Sequence, residues 1–311
     1  MTDSRSRPES RRSLFGQVIL ITGGASGIGA ATAGALLARG AVPVLVDCDS
    51  AALAITVTAL GGHVLAIAAD VTDMAECEAA VATALEVHGQ IDVVWANAGI
   101  ASFGPLLWTD PVAWKRCIEV NILGTFNIVR AALPSVVKQR GVVLASASVS
   151  SFAHPPAVSA YAASKAAVEA MCNAWRIELA AHGVAVGAVY ASWVQTPLLA
   201  EGDLHPAFRR LRGSMPARLR RAIEAPVAAE IICRGIEKRA RHIWVPGWVR
   251  LLHLMRAALH TPLAERPLLQ AAPEVERLFL ETMASSGVRA SSTPPREMAR
   301  AARHGEAGEP D

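Results

Sequence analysis

The sequence predicts an α/β fold: a three-layer, doubly wound parallel sheet with a helical C-terminal extension. Short apolar runs recur through residues 17–192 of the 311-residue chain, longer Ala/Leu-rich segments separate them, and a glycine cluster joins the first run to the first such segment. Unbroken apolar strands are buried on both faces, which is how parallel sheets read. Alternation of strand with helix then gives right-handed crossovers and helices on both faces of the sheet.

In order, "QVILITG" (residues 17–23) is a β-branched strand, and "GIGAATAGALLARG" (27–40) is a helix that stops at glycine. "AVPVLVD" (41–47) is the second strand, "SAALAITVTALG" a helix, and "HVLAIAAD" (63–70) the third strand. Residues 72–89 form a helix capped by Thr72 or Asp73, and "IDVVWANAG" (91–99) is the fourth strand. A continuous helix is expected over about 112–138, a strand over 141–148, a helix over about 157–182 and a sixth strand over 184–192. After Pro197 come an Arg-rich segment, one more helix and the short strand "HIWVP" (242–246). The organisation is therefore a flexible tail over 1–13, a main domain over 14–247, a helical extension over 248–283 and a Ser/Pro/Arg-rich tail over 284–311 expected to be disordered.

Composition narrows the function. With 52% hydrophobic residues the chain can bury a large core, and its net charge of +3, with no basic stripe interleaved with aromatics, gives no reason to expect nucleic acid. The five cysteines are scattered without a CxxC pair, which suits free thiols in a reducing compartment rather than a disulfide framework or metal site. The polar N-terminus has no apolar signal region, and no charge-free run of about 18 apolar residues is present. A cytoplasmic protein is expected.

The chemistry lies at the strand ends. In "TGGASGIG" (22–29) glycines permit a tight turn and close approach of a pyrophosphate, and the following helix N-terminus offers free N–H groups. Asp47 ends the second strand, where an acid can accept the ribose hydroxyls of an adenosine and repel a 2′-phosphate. It could instead cap the next helix, as could Asp49. Tyr161 and Lys165, i and i+4 on one helix face, form a second cluster. An ammonium near a phenol favours the phenolate, so the pair suits proton transfer in carbonyl/alcohol interconversion. Ser148 ends the preceding strand at the sheet edge where open α/β folds bind ligands. Ser146, Ser150 and Ser151 compete with it.

Together these residues resemble the classical short-chain dehydrogenase/reductase family over about residues 17–246. "TGGASGIG" resembles its TGxxxGxG cofactor loop, with Thr22, Gly23, Ser26, Gly27, Ile28 and Gly29. "ADVTD" resembles its adenine-contacting segment through Asp70 and Val71, and "ANAG" resembles its NNAG motif through Asn97, Ala98 and Gly99, with Ala96 in place of the first Asn. "VNILGTFN" sets Asn121 at the family's active-site asparagine, and Ser148, Tyr161 and Lys165 match its Ser and YxxxK positions. "WVQTP" (193–197) resembles the segment that meets the nicotinamide end, here through Val194 and Thr196; the family's Pro-Gly just before it is Ala191-Ser192.

The resemblance implies a Rossmann-like NAD(P)-dependent oxidoreductase acting on a small-molecule secondary alcohol or ketone. Tyr161 would exchange the proton, Lys165 would assist it, Ser148 would orient the substrate oxygen and Asn121 would hold a relay water. Asp47 favours NAD over NADP. The resemblance also implies a homodimer or homotetramer through the two long helices. The alternatives are an NADPH-dependent ketoreductase and a nucleotide-binding or peripheral membrane protein with little catalysis.

The substrate segment (198–225) contains six arginines over 208–221, read mainly as a solvated face. "WVRLLHLMRAALH" (248–260) is amphipathic, with Arg250, His253, Arg256 and His260 on one stripe. It is expected to pack on protein, with a membrane surface as the alternative. Trp193, Trp244 and Trp248, if they line the entrance, suggest an apolar substrate such as a sterol, terpenoid or lipid alcohol.

Overall fold

The structure, a computed structural model, describes residues 13–287. It runs β1 (Val18–Thr22), α1 (Gly27–Leu37), β2 (Val42–Asp47), α2 (Ser50–Ala59), β3 (Leu65–Ala68), α3 (Met74–His88), β4 (Val93–Ala96), α4 (Pro111–Ile118), α5 (Gly124–Lys138), β5 (Val142–Ser148), α6 (Ser159–Glu178) and β6 (Ala185–Ala191). After these come β7 (Val194–Gln195), α7 (Pro197–Leu204), α8 (Pro206–Gly213), α9 (Ala217–Arg220), β8 (Ile223–Glu224), α10 (Ala225–Glu237), β9 (His242–Val245), α11 (Val249–Leu254) and α12 (Pro262–Ser286).

Seven parallel strands form the main sheet in the order β3-β2-β1-β4-β5-β6-β9, and β7 pairs with β8 in a separate two-stranded ribbon. The central strands are as apolar as the sequence reading requires: every residue of β1 and β4 is buried. One core, with Cys77, Ile128 and Val168, lies between the sheet and α3, α5 and α6. The other, with Leu36, Leu53 and Ile232, lies under α1, α2 and α10. The chain leaves β3 at one edge and re-enters beside β1 as β4, so the topological switch point falls between β1 and β4. Open α/β sheets bind ligands outside the strand C-termini at that point.

Helix boundaries depart from expectation where side chains intervene. Asp73, not Thr72, caps α3 by accepting the Ala75 and Glu76 amides. The helix expected over 112–138 is interrupted by a π-helical turn, Glu119–Leu123, between α4 and α5. That stretch, Pro111–Lys138, is long and apolar enough to cross a membrane by length and composition alone. However, it buries Val120, Ile128, Ala132 and Val136 in the core beside the sheet, as a core helix does.

The C-terminal third is more ordered than its sequence suggests. Four helices, α7 to α10, replace the single helix expected there. α12 runs to Ser286, so 284–286 are helical where disorder was expected. Residues 1–12 and 288–311 lie outside the described residues. α12 packs on α8 in a third small core with Ala207, Leu211, Val275 and Phe279, which Phe103 and Trp108 join. Trp244 and Trp248 pack against the α6-side core instead of lining an entrance, and Trp244 stacks on Tyr190 at 4.6 Å. The amphipathic segment 248–260 is not one helix but α11 followed by a 3-10 turn, Arg256–His260.

Candidate active site

At the end of β1 the chain turns through Gly23 (φ 65°) and Gly27 (φ 57°), both left-handed. The turn is so tight that a Cβ on Gly29 would lie 2.2 Å from the Gly23 carbonyl oxygen. α1 begins without a side-chain cap, since Ser26 at the N-cap makes no such bond. Its first amides and its positive dipole end therefore suit an anion.

Three polar residues brace this loop. The Thr22 hydroxyl accepts the Asn97 and Ala98 amides, each at 3.0 Å. Asn97 Nδ2 donates to the Thr22 and Gly23 carbonyls, and Asn97 Oδ1 accepts the Ser146 hydroxyl at 3.0 Å. Asp47 Oδ2 accepts the Ala25 amide at 3.2 Å and Oδ1 accepts the Asp49 amide at 3.1 Å. The cap of α2 is Asp49, through the Ala52 amide, so Asp47 is not a helix cap.

Asp70 follows β3. Burial alone would raise its carboxyl, but donors from Thr72 and the Arg116 guanidinium (2.7 Å) hold it below the usual carboxylate range. Arg116 borders the same cleft, and no motif pointed to it.

Tyr161 and Lys165 lie one turn apart on α6. Lys165 is buried, its Nζ donates to the Ser146 carbonyl at 2.8 Å and stands 5.6 Å from the Tyr161 ring centre. Burial lowers Lys165 to about 8. Burial also raises the Tyr161 hydroxyl above the ordinary phenol range, and a hydrogen bond with the Ser148 side chain pulls it back in part. The sequence suggested that Lys165 would set a lowered Tyr161; in the structure desolvation is the larger influence on that hydroxyl.

Ser148 is buried, accepts the Ser150 amide (3.1 Å) and donates to the Ala191 carbonyl (3.4 Å). Of its rivals, Ser146 lines the cleft but bonds Asn97 and Trp95, and Ser151 donates to the Lys165 carbonyl. Asn121 sits fully buried in the π-helical turn. Its Oδ1 accepts the Ile100 amide and its Nδ2 donates to the Ile100 carbonyl, both at 2.9 Å, and to the Ser164 hydroxyl at 2.8 Å. Ser164 in turn donates to the Tyr161 carbonyl at 2.8 Å. Sequence reasoning passed over Ser164, although its place at i+3 from Tyr161 was a usable signal.

One cleft follows the strand ends at the switch point. Gly23, Ser26, Gly27, Ile28, Asp47, Asp70 and Val71 line its first half, and Asn97, Ala98, Gly99, Tyr161, Lys165 and Thr196 its second. Thr22, Gly29, Asn121, Ser148 and Val194 are outside this lining, although Ser148 shares a hydrogen bond with Tyr161, which is within it. Thr196 caps α7, and its methyl meets the space beside Gly27. At the Pro-Gly substitution, Ala191 keeps β6 in register with β9, and the Ser192 amide donates to the Val245 carbonyl at 2.8 Å.

The family model described as short chain dehydrogenase matches residues 17–205, more than half of the chain and all of the cleft residues just named. This chain belongs to the short-chain dehydrogenase family. It is 34% identical over 189 residues to oxidoreductase UcpA of Salmonella typhimurium, covering 60% of this chain and 72% of that one. It is 35% identical over 201 residues to 3-hydroxyacyl-CoA dehydrogenase type-2 of Rattus norvegicus, covering 60% and 77%. A short chain dehydrogenase/reductase from Burkholderia phymatum, solved in complex with NAD, superposes with a TM-score of 0.70 at 27% identity, over 81% of this chain and 98% of that one. The short-chain dehydrogenase described here is thus an NAD(P)-dependent oxidoreductase acting on CH–OH groups. Its family match stops at residue 205, so the elements from α8 onward lie beyond it.

Proposed function

We propose that this short-chain dehydrogenase prefers NAD and interconverts a secondary alcohol and a ketone on an apolar substrate. The observation that carries the reading is that Tyr161 and desolvated Lys165 line the same cleft as Asp47, with Ser148 hydrogen-bonded to Tyr161.

The cleft fits a dinucleotide because its glycine turn leaves no room for a Cβ and opens onto an uncapped helix. The start of α1 (Ser26, Gly27, Ile28) would hold the pyrophosphate, with Gly29 and Thr22 keeping the turn in shape. Asp47 would accept the adenosine ribose hydroxyls; its Oδ1 already accepts the Asp49 amide and the Cys48 thiol, and its Oδ2, which accepts only the Ala25 amide among the bonds described, keeps capacity for them. Neither Cys48 nor Ser26 offers the positive charge that a 2′-phosphate needs. Asp70 and Val71 would border the adenine, Asn97, Ala98 and Gly99 the middle of the cofactor, and Thr196, two residues after Val194, the nicotinamide end. When bound, the nicotinamide supplies or accepts the hydride.

Tyr161 gives or takes the proton at the substrate oxygen. Lys165 keeps two N–H donors beyond its bond to Ser146 for the ribose and, protonated below about pH 8, favours the phenolate beside it. Ser148 orients the oxygen from the other side. Asn121 is better read as a brace than as a water holder, since its amide ties Ile100 to the Tyr161 turn through Ser164.

Ile100 and Leu198 give the cleft its apolar wall, and the ring contacts Trp193–Phe208–Phe103 support that side. A fatty acyl chain suits this lining, in keeping with relatives named as 3-hydroxyacyl-CoA dehydrogenase and 3-oxoacyl-[acyl-carrier-protein] reductase. Exposed Phe126 on α5 and Ile177 on α6 support a homodimer or homotetramer through these helices.

The test is NADH formation from NAD across secondary alcohols from small to long-chain and sterol-sized, repeated with NADP. Tyrosine-dependent turnover that grows with apolar size, and is faster with NAD, is expected. Equal or better turnover with NADP would overturn the preference, and activity confined to small polar alcohols would overturn the substrate class.

A further inference from the structure

The helical segment after β9 leaves apolar side chains in water while several of its basic side chains reach back to the body. An amphipathic helix on a soluble protein shows water its charged stripe; here half-buried His253 and the exposed Arg256 and His260 turn polar atoms inward, and only Arg250 of the stripe stays in water without such a contact described. Arg256 Nη1 lies 2.7 Å and His253 Nε2 3.3 Å from Oε1 of Glu169, a buried carboxylate on α6. Nε2 of His260 lies 3.1 Å from the Phe152 carbonyl oxygen, and its ring stacks on His154. A buried carboxylate needs cationic or hydrogen-bonding partners, and Glu169 draws them from α11 and the turn after it. Val249, Leu252 and Leu259 also face inward. Leu251, Leu254 and Met255 are left outside, Leu254 at 72% exposure, and Leu263 at the start of α12 is 80% exposed. Leu269, further along α12 and about a third of a turn round it, is also exposed.

We propose that this face docks the chain onto an anionic phospholipid bilayer. Charge selects that occupant. Residues 247–264 contain no Asp or Glu, the half-buried Glu265 coming next, and exposed Arg250 and Arg266 flank the leucines. In a two-fold interface the same patch meets itself, which would set this arginine-rimmed surface against an identical one. A bilayer carrying acidic headgroups instead gives the leucines an acyl layer and the arginines phosphate. The proposal is independent of which substrate the cleft takes.

The test is co-sedimentation of the full chain with phosphatidylcholine–phosphatidylglycerol vesicles and with phosphatidylcholine vesicles alone, alongside its mass in vesicle-free solution. The chain should pellet with the anionic vesicles and stay in the supernatant with the neutral ones. Leu251→Asp/Leu254→Asp/Leu263→Asp should weaken partition by about tenfold or more, and Arg250→Gln or Arg266→Gln by about fivefold each. NADH affinity, unchanged in all of them, reports that the fold is intact. Recovery in the supernatant with both vesicles, equal binding to both, or undiminished binding by the triple variant would overturn the proposal. A drop in oligomeric mass of the triple variant without vesicles would also overturn it, by showing that the face belongs to a second copy.

Discussion

Around the cleft, buried and half-buried polar side chains bond to backbone groups at strand ends: Asn97 to Thr22 and Gly23, Asn121 to Ile100, and Lys165 to Ser146. From α7 to α12, several polar side chains pair with one another near the surface. Arg212 meets Asp203 at 2.8 Å, Arg210 meets Glu274, and Trp108 Nε1 donates to Glu276. The two arrangements respond differently to their surroundings. Buried bonds to the backbone are shielded from salt and lock a geometry, whereas half-exposed ion pairs are screened and each contributes about 1 kcal/mol or less. The cleft is held by bonds to the backbone, and the region from α7 onward adds, beside its small apolar core, ion pairs that salt can loosen.

Tyr161→Phe should separate the two most sharply. Loss of the hydroxyl is expected to reduce turnover about a thousandfold with NADH affinity and melting temperature unchanged; substantial residual activity would move the proton chemistry elsewhere. Gly29→Ala tests the cleft itself. Its Cβ has no place beside the Gly23 carbonyl, so NADH affinity and stability should both fall, by about 2 kcal/mol. Wild-type affinity in this variant would show that the loop yields.

Glu169→Gln tests the other region. Arg256 is half-exposed, so the loss should be nearer about 1–2 kcal/mol than the full cost of breaking a buried pair. Protease should cut near α11 sooner while NADH affinity holds. Parallel loss of cofactor binding would mean that the two regions are coupled.

The smallest effect concerns pH. His205 Nδ1 accepts the Ala207 amide at the start of α8, and burial lowers the ring to about 4. An unfolded histidine titrates near 6.5. Between those values the unfolded segment binds a proton that the folded one refuses, so stability falls as pH drops from about 6.5 towards 4. His242, also lowered to about 4 by burial, acts in the same sense. His205→Asn keeps a capping side chain and should flatten the melting-temperature profile of the chain only in part. An unaltered profile would assign the whole effect to His242.

The strand–helix alternation and the cleft residues were legible because their signals are local: an i, i+4 pair, a glycine spacing, an acid at a strand end. The π-helical turn was not, because Asn121 is held by Ile100 and Ser164, which are distant in sequence. The outward leucines of α11 were legible as a stripe but not in direction. A helical repeat says which residues share a face and nothing about which face turns inward. Here Glu169, about 80 residues earlier, decides it. The tryptophans misled for the same reason, since Trp244 follows Tyr190 into the core rather than facing the cleft.

Asp47 serves as a strut as well as a reader. The carboxylate proposed to choose between cofactors also holds the Ala25 and Asp49 amides, and with them the entrance to the glycine turn. Exchanging it for a neutral or basic residue would retune preference and slacken the cradle in one stroke. Converting this scaffold to the phosphorylated dinucleotide is therefore a two-step design problem. A replacement donor-acceptor pair must first steady the turn, and only then can the selecting charge be reversed.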